Sequence, residues 1–376
     1  MDSRTSICHI TTVHPLGDTR IFHREAAAVS GAGKYSLVLI ARGSPEAVSS
    51  GIAEEIQLLP AKGGRLHRMI VSQYRAIGMA LRANADLYHL HDPELLPGGI
   101  LLRLLGKRVV FDIHEDLPKQ VRIKPWIHRR LARLWVWVAQ LFDALVSRCF
   151  DGIVAATPEI GGKYRGSRMV VVQNFPAWEE LMCPFSAPVS ERKNIAIYVG
   201  TITEERGLRC MLQAADRASE RLSGDFRLIL AGRFVSAKDR EIFEAHANQD
   251  IVEYIGWQDR RQVGELLGQA LVGLVTLLPA AGYLESYPVK LFEYGAAGVP
   301  AIASDFPLWH RLMNGCCVFV DPSAPEAIAD ALVDLMTDKV QAEAIGREAR
   351  ALVRSRYSWE SEAEKLLAFY EQILGS

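Results

Sequence analysis

The sequence predicts an α/β protein of two units, each a mostly parallel sheet flanked by helices. Three observations lead there. Short apolar runs alternate with helical patterns along the whole chain, as crossovers between parallel strands require. The alternation breaks once, across 175–193 (FPAWEELMCPFSAPVSERK), where three prolines and weak periodicity read as a linker. At 376 residues the chain is also long for a single core.

In the first half, candidate strands are 6–13, 35–40, 85–90, 107–113, 151–156 and 169–174, with helical stretches at 20–30, 67–84, 94–105 and 125–148. Beyond the linker, strands are expected at 194–200, 226–232, 251–256, 270–278, 300–304 and 316–320. A last helix, 358–373, follows no further strand. Its Leu366, Leu367, Phe369, Tyr370 and Ile373 make one broad stripe, so it must pack on something already built.

Hydrophobic residues at 49% and charged residues at 23% are ordinary for a soluble globular protein. The opening MDSRTSICHITTVHP has no apolar stretch of signal-peptide type, and no run approaches the roughly 20 apolar residues a spanning helix needs. Six cysteines without a CxxC pair read as reduced thiols of a cytoplasmic protein. Net charge is −1, but residues 1–190 carry +6 and the remainder −7, so the halves are expected to meet different partners.

Ligands of open parallel sheets bind at the carboxyl ends of strands, so each strand-to-helix junction is a place to look for chemistry. At VHPLGDTRIFHRE (13–25), Gly17 stands in a turn before a helix expected near Asp18 or Thr19, where a phosphate could approach. An ordinary turn is the plainer reading. At YHLHDPELLP, His89 and His91 share a strand face, but the local sequence offers no third metal ligand, and no metal is expected. Asp92 with Pro93 suits a helix cap, while His91 could contact a ligand. At VVFDIHED, His114 between acids is either a general base or hydrogen-bond donor held by a carboxylate, or a surface histidine in a charged loop.

From Lys119 to Arg133 there are six Lys/Arg and no acid, with Trp126 inside the stretch and Trp135 and Trp137 beside it. Such a basic, aromatic, amphipathic segment fits an anionic membrane surface or a core helix with a solvated face, and fits nucleic acid less well. In the second half, Gly200 ends a strand, and Arg206 and Gly207 open a helix. Arg233 follows the next strand. Two arginines beside helix starts suit a diphosphate or plain solvation.

The stretch LESYPVKLFEYGAAGVPAIAS (284–304) reads as loop, helix, turn and strand, with Pro288 at the helix start and Gly298 past its end. The amides of Val289, Lys290 and Leu291 would face an anion. Glu285 lies in the loop, and Glu293 lies about five residues into the helix, roughly 7.5 Å further at 1.5 Å per residue. The two acids could bracket a diphosphate-linked ligand, or Glu285 could be solvated and Glu293 paired with an arginine.

ESYPVKLFE resembles the E-x7-E signature of family 4 glycosyltransferases, and KLFEYGAAGVPAIAS is similar to that family's common KLFEYMAAGVPVIAS. HITTVHPLGDTRIFHRE, DLYHLHDPELLP, VVFDIHED and YVGTITEERGL resemble a branch acting in bacterial exopolysaccharide, O-antigen and lipopolysaccharide assembly, so the resemblance covers nearly the whole chain. It implies the GT-B fold, with two Rossmann-like domains (1–180 and 190–357) facing a cleft and the C-terminal helix, 358–376, crossing back to the first.

It further implies a retaining, metal-independent hexosyl transfer from a nucleotide-diphospho-sugar, UDP- or GDP-linked, with no cofactor. Glu285, His114 and Arg206 would be catalytic. Gly17, Gly200, Thr201, Arg233, Ser286, Tyr287, Pro288, Val289, Lys290 and Glu293 would join Arg206 in holding the donor. Many members carry an arginine where this chain has Thr201, so Arg233 or Lys290 must compensate. His91, Asp116, Lys124, Trp126, Arg129, Arg130 and Arg133 would face a polyprenyl-diphosphate-linked saccharide at the anionic inner leaflet, with the protein peripheral to that membrane and no nucleic acid bound. Alternatives are a UDP-sugar 2-epimerase-like enzyme or a non-catalytic GT-B partner subunit. The absence of GxGxxG after the first strand excludes a dinucleotide oxidoreductase.

Overall fold

The computed structural model describes residues 4–43, 52–60, 71–114, 132–178 and 188–375. The chain forms two compact units, Met1–Asn174 with Glu360–Ser376, and Phe175–Trp359.

The first unit is a seven-stranded sheet of order β3-β2-β1-β4-β5-β6-β7. Its strands are β1 (Thr5–Pro15), β2 (Tyr35–Gly43), β3 (Glu55–Pro60), β4 (Leu87–Leu90), β5 (Arg108–Ile113), β6 (Gly152–Ala155) and β7 (Met169–Val171). All pairings are parallel. The edge strand β3 escaped the sequence reading because EIQLLP is half-buried and its apolar pattern is weak. After β1 the chain forms a π-helical turn, Ile21–Ala26, that runs into α1 (Ala27–Gly31). Next come α2 (Gln73–Ala83), α3 (Leu96–Leu104) and α4 (Ala132–Cys149).

These three helices connect strands that progress in one direction along the sheet. Right-handed crossovers therefore place them on one face. The strands' period of two separates the faces. Cys8, Ile10, Tyr88 and Leu90 join the core beneath those helices. His9 and His89 point the other way, toward Tyr370 of the C-terminal helix (Trp359–Leu374). That helix belongs to the first unit, and its apolar stripe is buried there. Leu366, Phe369, Tyr370 and Ile373 are buried, and each such side chain contributes about 1.5–3 kcal/mol.

The second unit is a six-stranded parallel sheet of order β10-β9-β8-β11-β12-β13. Its strands are β8 (Ile195–Val199), β9 (Arg227–Ala231), β10 (Val252–Gly256), β11 (Val272–Val275), β12 (Ala301–Ser304) and β13 (Cys317–Val320). Two helices shape its site, α5 (Leu208–Arg221) and α6 (Val289–Ala296). Phe175, at the start of the expected linker, is buried against Phe292 and Tyr357, with ring centroids 5.1 and 5.2 Å away.

Candidate functional site

In the first unit, β1, β4 and β5 are central neighbours, and the turn after β1 folds over their carboxyl ends. This brings together His9, Arg20, Glu25, His89, His91 and Asp112, all buried. Arg20 donates to both oxygens of Asp112, from Nε at 2.9 Å and Nη2 at 2.8 Å, and from Nη1 to the Val172 carbonyl at 2.8 Å. Burial acts to raise the Asp112 carboxyl, but Arg20 and His114 outweigh it and hold it well below the usual carboxylate range. Glu25 goes the other way. Burial, with Asp112 alongside, pushes its carboxyl well up. Burial also pushes His9 and His89 well below the usual imidazole value and lowers His91. One buried carboxylate faces one guanidinium, and the imidazoles are neutral, which is how a charged group survives burial.

His114 is half-buried at the end of β5, its Nε2 2.6 Å from Asp112 Oδ2. Of its two sequence readings, the structure shows the histidine held by a carboxylate. His14 lies beside it, with ring centroids 5.5 Å apart. His14 Nδ1 is 3.1 Å from Asp92 Oδ1, and that bond raises the His14 value. Asp92 does not cap the helix it precedes. Its Oδ2 instead accepts from Thr11 Oγ1 at 2.8 Å and the Thr12 amide at 2.6 Å, so it ties β4 to β1.

Gly17 sits in the turn after β1 with φ of 90°. Asp18 caps the helical turn that follows, as its expected start near Asp18 or Thr19 implies: its Oδ1 accepts from the amides of Arg20 and Ile21, and its carbonyl from those of Phe22 and His23. His91 corrects the sequence reading. It is buried, and both ring nitrogens are engaged, Nε2 with His9 at 3.0 Å and Nδ1 with Asp112 at 3.2 Å, so it cannot face an acceptor. Asp116, Lys124, Trp126, Arg129 and Arg130 lie outside the described residues. Arg133 belongs to α4, and its side chain is likewise outside.

His9, Glu25, His89 and His91 have potential ligand atoms within 4.8 Å of one another. The Arg20 guanidinium stands 3.1 Å from Glu25 Oε1 and opposes a cation there. Three of the imidazoles already share hydrogen bonds with each other, Tyr370 or Asp112.

In the second unit the first strand ends at Gly200, whose φ is 125°. That positive φ disfavours any side chain, and a Cβ there would lie 2.7 Å from Lys290 Cε, so the lysine would have to move aside. Lys290 Nζ lies over the Tyr198 ring, 4.9 Å from its centre, and 3.5 Å from its hydroxyl. The Tyr198 hydroxyl donates to the Thr201 carbonyl at 2.6 Å. Arg206 ends a short 3-10 turn, Glu204–Arg206, rather than opening α5, and left-handed Gly207 separates the two. Its guanidinium lies 6.0 Å from the Tyr283 ring centre. Burial and then Arg206 lower the Lys290 ammonium to about 8. The cation that joins Arg206 is therefore Lys290. Arg233 is exposed and lies over the Trp257 ring at 5.2 Å.

α6 begins after Pro288, and Tyr294 anchors it by accepting from the Val199 amide at 3.1 Å. The Val289 and Leu291 amides are not open to an anion, since they donate to the carbonyls of Tyr287 at 3.0 Å and Pro288 at 2.9 Å. Glu293 Oε1 is 2.6 Å from Arg260 Nη1, the pairing that the plainer sequence reading anticipated. Glu285 is exposed in the loop before α6. Trp309 Nε1 pins that loop by donating to the Ser286 carbonyl at 2.9 Å, and Tyr287 packs against the core below.

Residues 184–352 match the sequence family described as Glycosyl transferases group 1. The chain carries a glycosyl transferases group 1 domain. It is a glycosyltransferase of the GT-B fold. Over 348 residues it is 23% identical to the phosphatidyl-myo-inositol mannosyltransferase of Mycobacterium leprae, covering 87% of this chain and 81% of that one. The fold is similar to sucrose-phosphate synthase from Thermosynechococcus elongatus, with a TM-score of 0.75 and 17% identity over 99% of this chain and all of that one. It is also similar to Anabaena HepE in complex with UDP-glucose, with a TM-score of 0.69 and 12% identity over 98% and 99% of the two chains.

Sequence reading missed several residues of this glycosyltransferase's candidate site. His9 is a register partner of His89 across β1 and β4, a relation that appears only once the strands are paired. Tyr370 read as one more apolar position of a stripe, yet its hydroxyl reaches His9 and His89. The signal available was a tyrosine, with its polar tip, on the buried stripe of a helix that had to cover the histidine face.

Proposed function

We propose that the chain transfers a sugar from a UDP- or GDP-linked donor, with retention, to a lipid-linked saccharide in bacterial cell-surface polysaccharide assembly. The observation that carries the donor half is the pairing of Lys290 with Arg206 around Tyr198. Two cations share a small volume, and burial, with Arg206 beside it, pushes Lys290 toward neutrality. A diphosphate relieves that repulsion, and its negative charge grows as the glycosidic bond breaks. Lys290 and Arg206 would stabilise that charge, as a metal does in other transferases. Glu293 would accept from the ribose, Glu285 from the donor sugar, and His114 would serve the reacting carbon and acceptor. Retention rests on the resemblance to family 4 and is read from the anomeric configuration of the product by NMR.

The membrane half rests on α2, α3 and α4. Among the described residues of the first unit, every large apolar side chain that is exposed belongs to these helices or their ends, with Tyr74, Leu104 and Trp137 the most exposed at 76%, 80% and 59%. α2 packs on α3, and α3 on α4. The three helices carry Arg75, Arg82, Arg103, Arg133 and Arg148 against one acid, Asp143, which bonds the Tyr164 hydroxyl. Exposed apolar side chains on helices whose sequences are rich in arginine suit an anionic bilayer surface. Among the described residues no helix is long and apolar enough to cross a membrane.

The donor assignment is tested by thermal shift with UDP-, GDP- and dTDP-sugars. One of them should stabilise the protein and lose its effect in Lys290→Ala. No stabilisation by any of them would remove the donor site. The membrane assignment is tested by co-sedimentation with anionic vesicles. Binding unchanged after removing the charges of Arg129, Arg130 and Arg133 would end it.

A further inference from the structure

The buried histidines of the first unit form a hydrogen-bonded chain whose direction follows from its end. Asp112 takes two bonds from Arg20, and as a carboxylate it can only accept. His91 Nδ1, 3.2 Å from Asp112 Oδ2, must therefore carry a proton. In a neutral imidazole this leaves His91 Nε2 as an acceptor, so His9 Nδ1, 3.0 Å away, must donate to it. His9 Nε2 is then bare, and the Tyr370 hydroxyl, 3.1 Å away, donates there. Having spent its one proton, that hydroxyl accepts from His89 Nδ1 at 2.6 Å. His89 Nε2 is left without a hydrogen and, consistently, without a hydrogen-bond partner. His114 Nε2 donates to the same Asp112 oxygen at 2.6 Å, which in a neutral ring leaves its Nδ1 as the acceptor.

We infer that Tyr370, His9 and His91 are positioning residues for His114, acting through Asp112 by this one-way chain. The inference rests on the proposed role of His114 at the acceptor side. The groups that face the chain are Arg20 and Glu25 from the turn after β1, His89 from β4, Asp112 from β5 and Tyr370 from the C-terminal helix. All of them are buried. Their work is to hold Asp112 still and to keep one tautomer on His114. A single donor lost from the far end leaves two buried nitrogens short of a partner, and His91 becomes free to take its other tautomer. The last helix of the chain is thereby coupled to a group placed at the chemistry.

The first test needs no variant. Long-range 1H–15N spectra of the full chain labelled with 15N-histidine should show His9 and His91 neutral, with the proton on Nδ1 in both. A proton on Nε2 of His91, or a stoichiometric metal in the purified protein, overturns the chain. The second test is turnover with whichever nucleotide-sugar stabilises the protein. Tyr370→Phe and His91→Ala should lower kcat about tenfold with donor KM within about twofold. His91→Asn, whose amide donates from the Nδ1 position, should restore most of kcat. Unchanged kcat in Tyr370→Phe, or no rescue by His91→Asn, overturns the inference. His114→Ala separates the two claims. If it keeps full kcat the proposed role of His114 fails, while the spectra still decide the chain.

Discussion

The Lys290 ammonium lies 3.5 Å from the Tyr198 hydroxyl and shares that environment with the Arg206 guanidinium. Burial and Arg206 bring Lys290 to about 8, below an ordinary lysine. A bound diphosphate would raise it again, so binding should take up a proton near pH 8. Affinity for UDP is expected to be highest below pH 8 and to fall by up to about tenfold per unit above it, until the bound form also titrates. Calorimetry between pH 6.5 and 9.5 measures this. Lys290→Met should bind more weakly and lose the pH dependence, and a flat profile for the native protein would contradict the pairing.

Glu293 is held by Arg260 at 2.6 Å with both side chains largely enclosed. If Glu293 accepts from a ribose hydroxyl, Glu293→Gln should weaken nucleotide binding by about 1.5–3 kcal/mol, the range for hydrogen bonds to charged groups. Arg260→Met should cost less, since it loosens Glu293 without removing it. Nucleotide titration of both variants checks the order. Equal losses would mean that the ion pair, and not the carboxylate, matters.

The buried histidines make stability depend on pH in a defined direction. His9, His89 and His91 have folded values below 6.5, so the unfolded chain binds their protons first. Their contribution is complete above pH 6.5 and is lost as pH falls below it. Glu25 acts oppositely, since its raised value makes the folded state hold a proton above 4.5. His14, raised, also favours the folded state in acid. Three protons outweigh these, so stability should fall from pH 7 to pH 5 by about 1.4 kcal/mol per net proton per pH unit. Urea midpoints at the two pH values measure it, and His89→Gln should reduce the slope.

Gly152 starts β6 beneath the C-terminal helix. A Cβ there would lie 2.6 Å from Phe369 Cζ and 2.9 Å from Ile373 Cδ1. Gly152→Ala should destabilise the first unit by about 1–3 kcal/mol through overpacking. Earlier proteolysis of the chain's last residues should accompany the lower urea midpoint. An unchanged midpoint would show that the helix gives way without cost.

Much of the fold was legible because period and punctuation are local. The strand of residues 227–231, the glycine after α6 and the buried stripe Leu366–Phe369–Ile373 all follow from neighbours a few residues apart. β3 was not legible, since a half-buried edge strand leaves a faint apolar pattern. Positions just past a strand end were legible as such, as with His114 after β5 and Gly200 after β8. Site residues were misread where a polar side chain is used inside. Asp92 looks like a helix cap by position, yet it binds β1, because β1 and β4 pair and bring the Thr11 hydroxyl to it.

By itself the sequence determined two parallel α/β units and a last helix whose apolar stripe had to be buried on one of them. Only the tertiary structure decided that Lys290 is the cation beside Arg206, and that His91 faces inward to hold Asp112. The reason is range. Periodicity and capping act over one or two turns, whereas both of these contacts join residues more than 20 positions apart, through strand register and the burial it imposes.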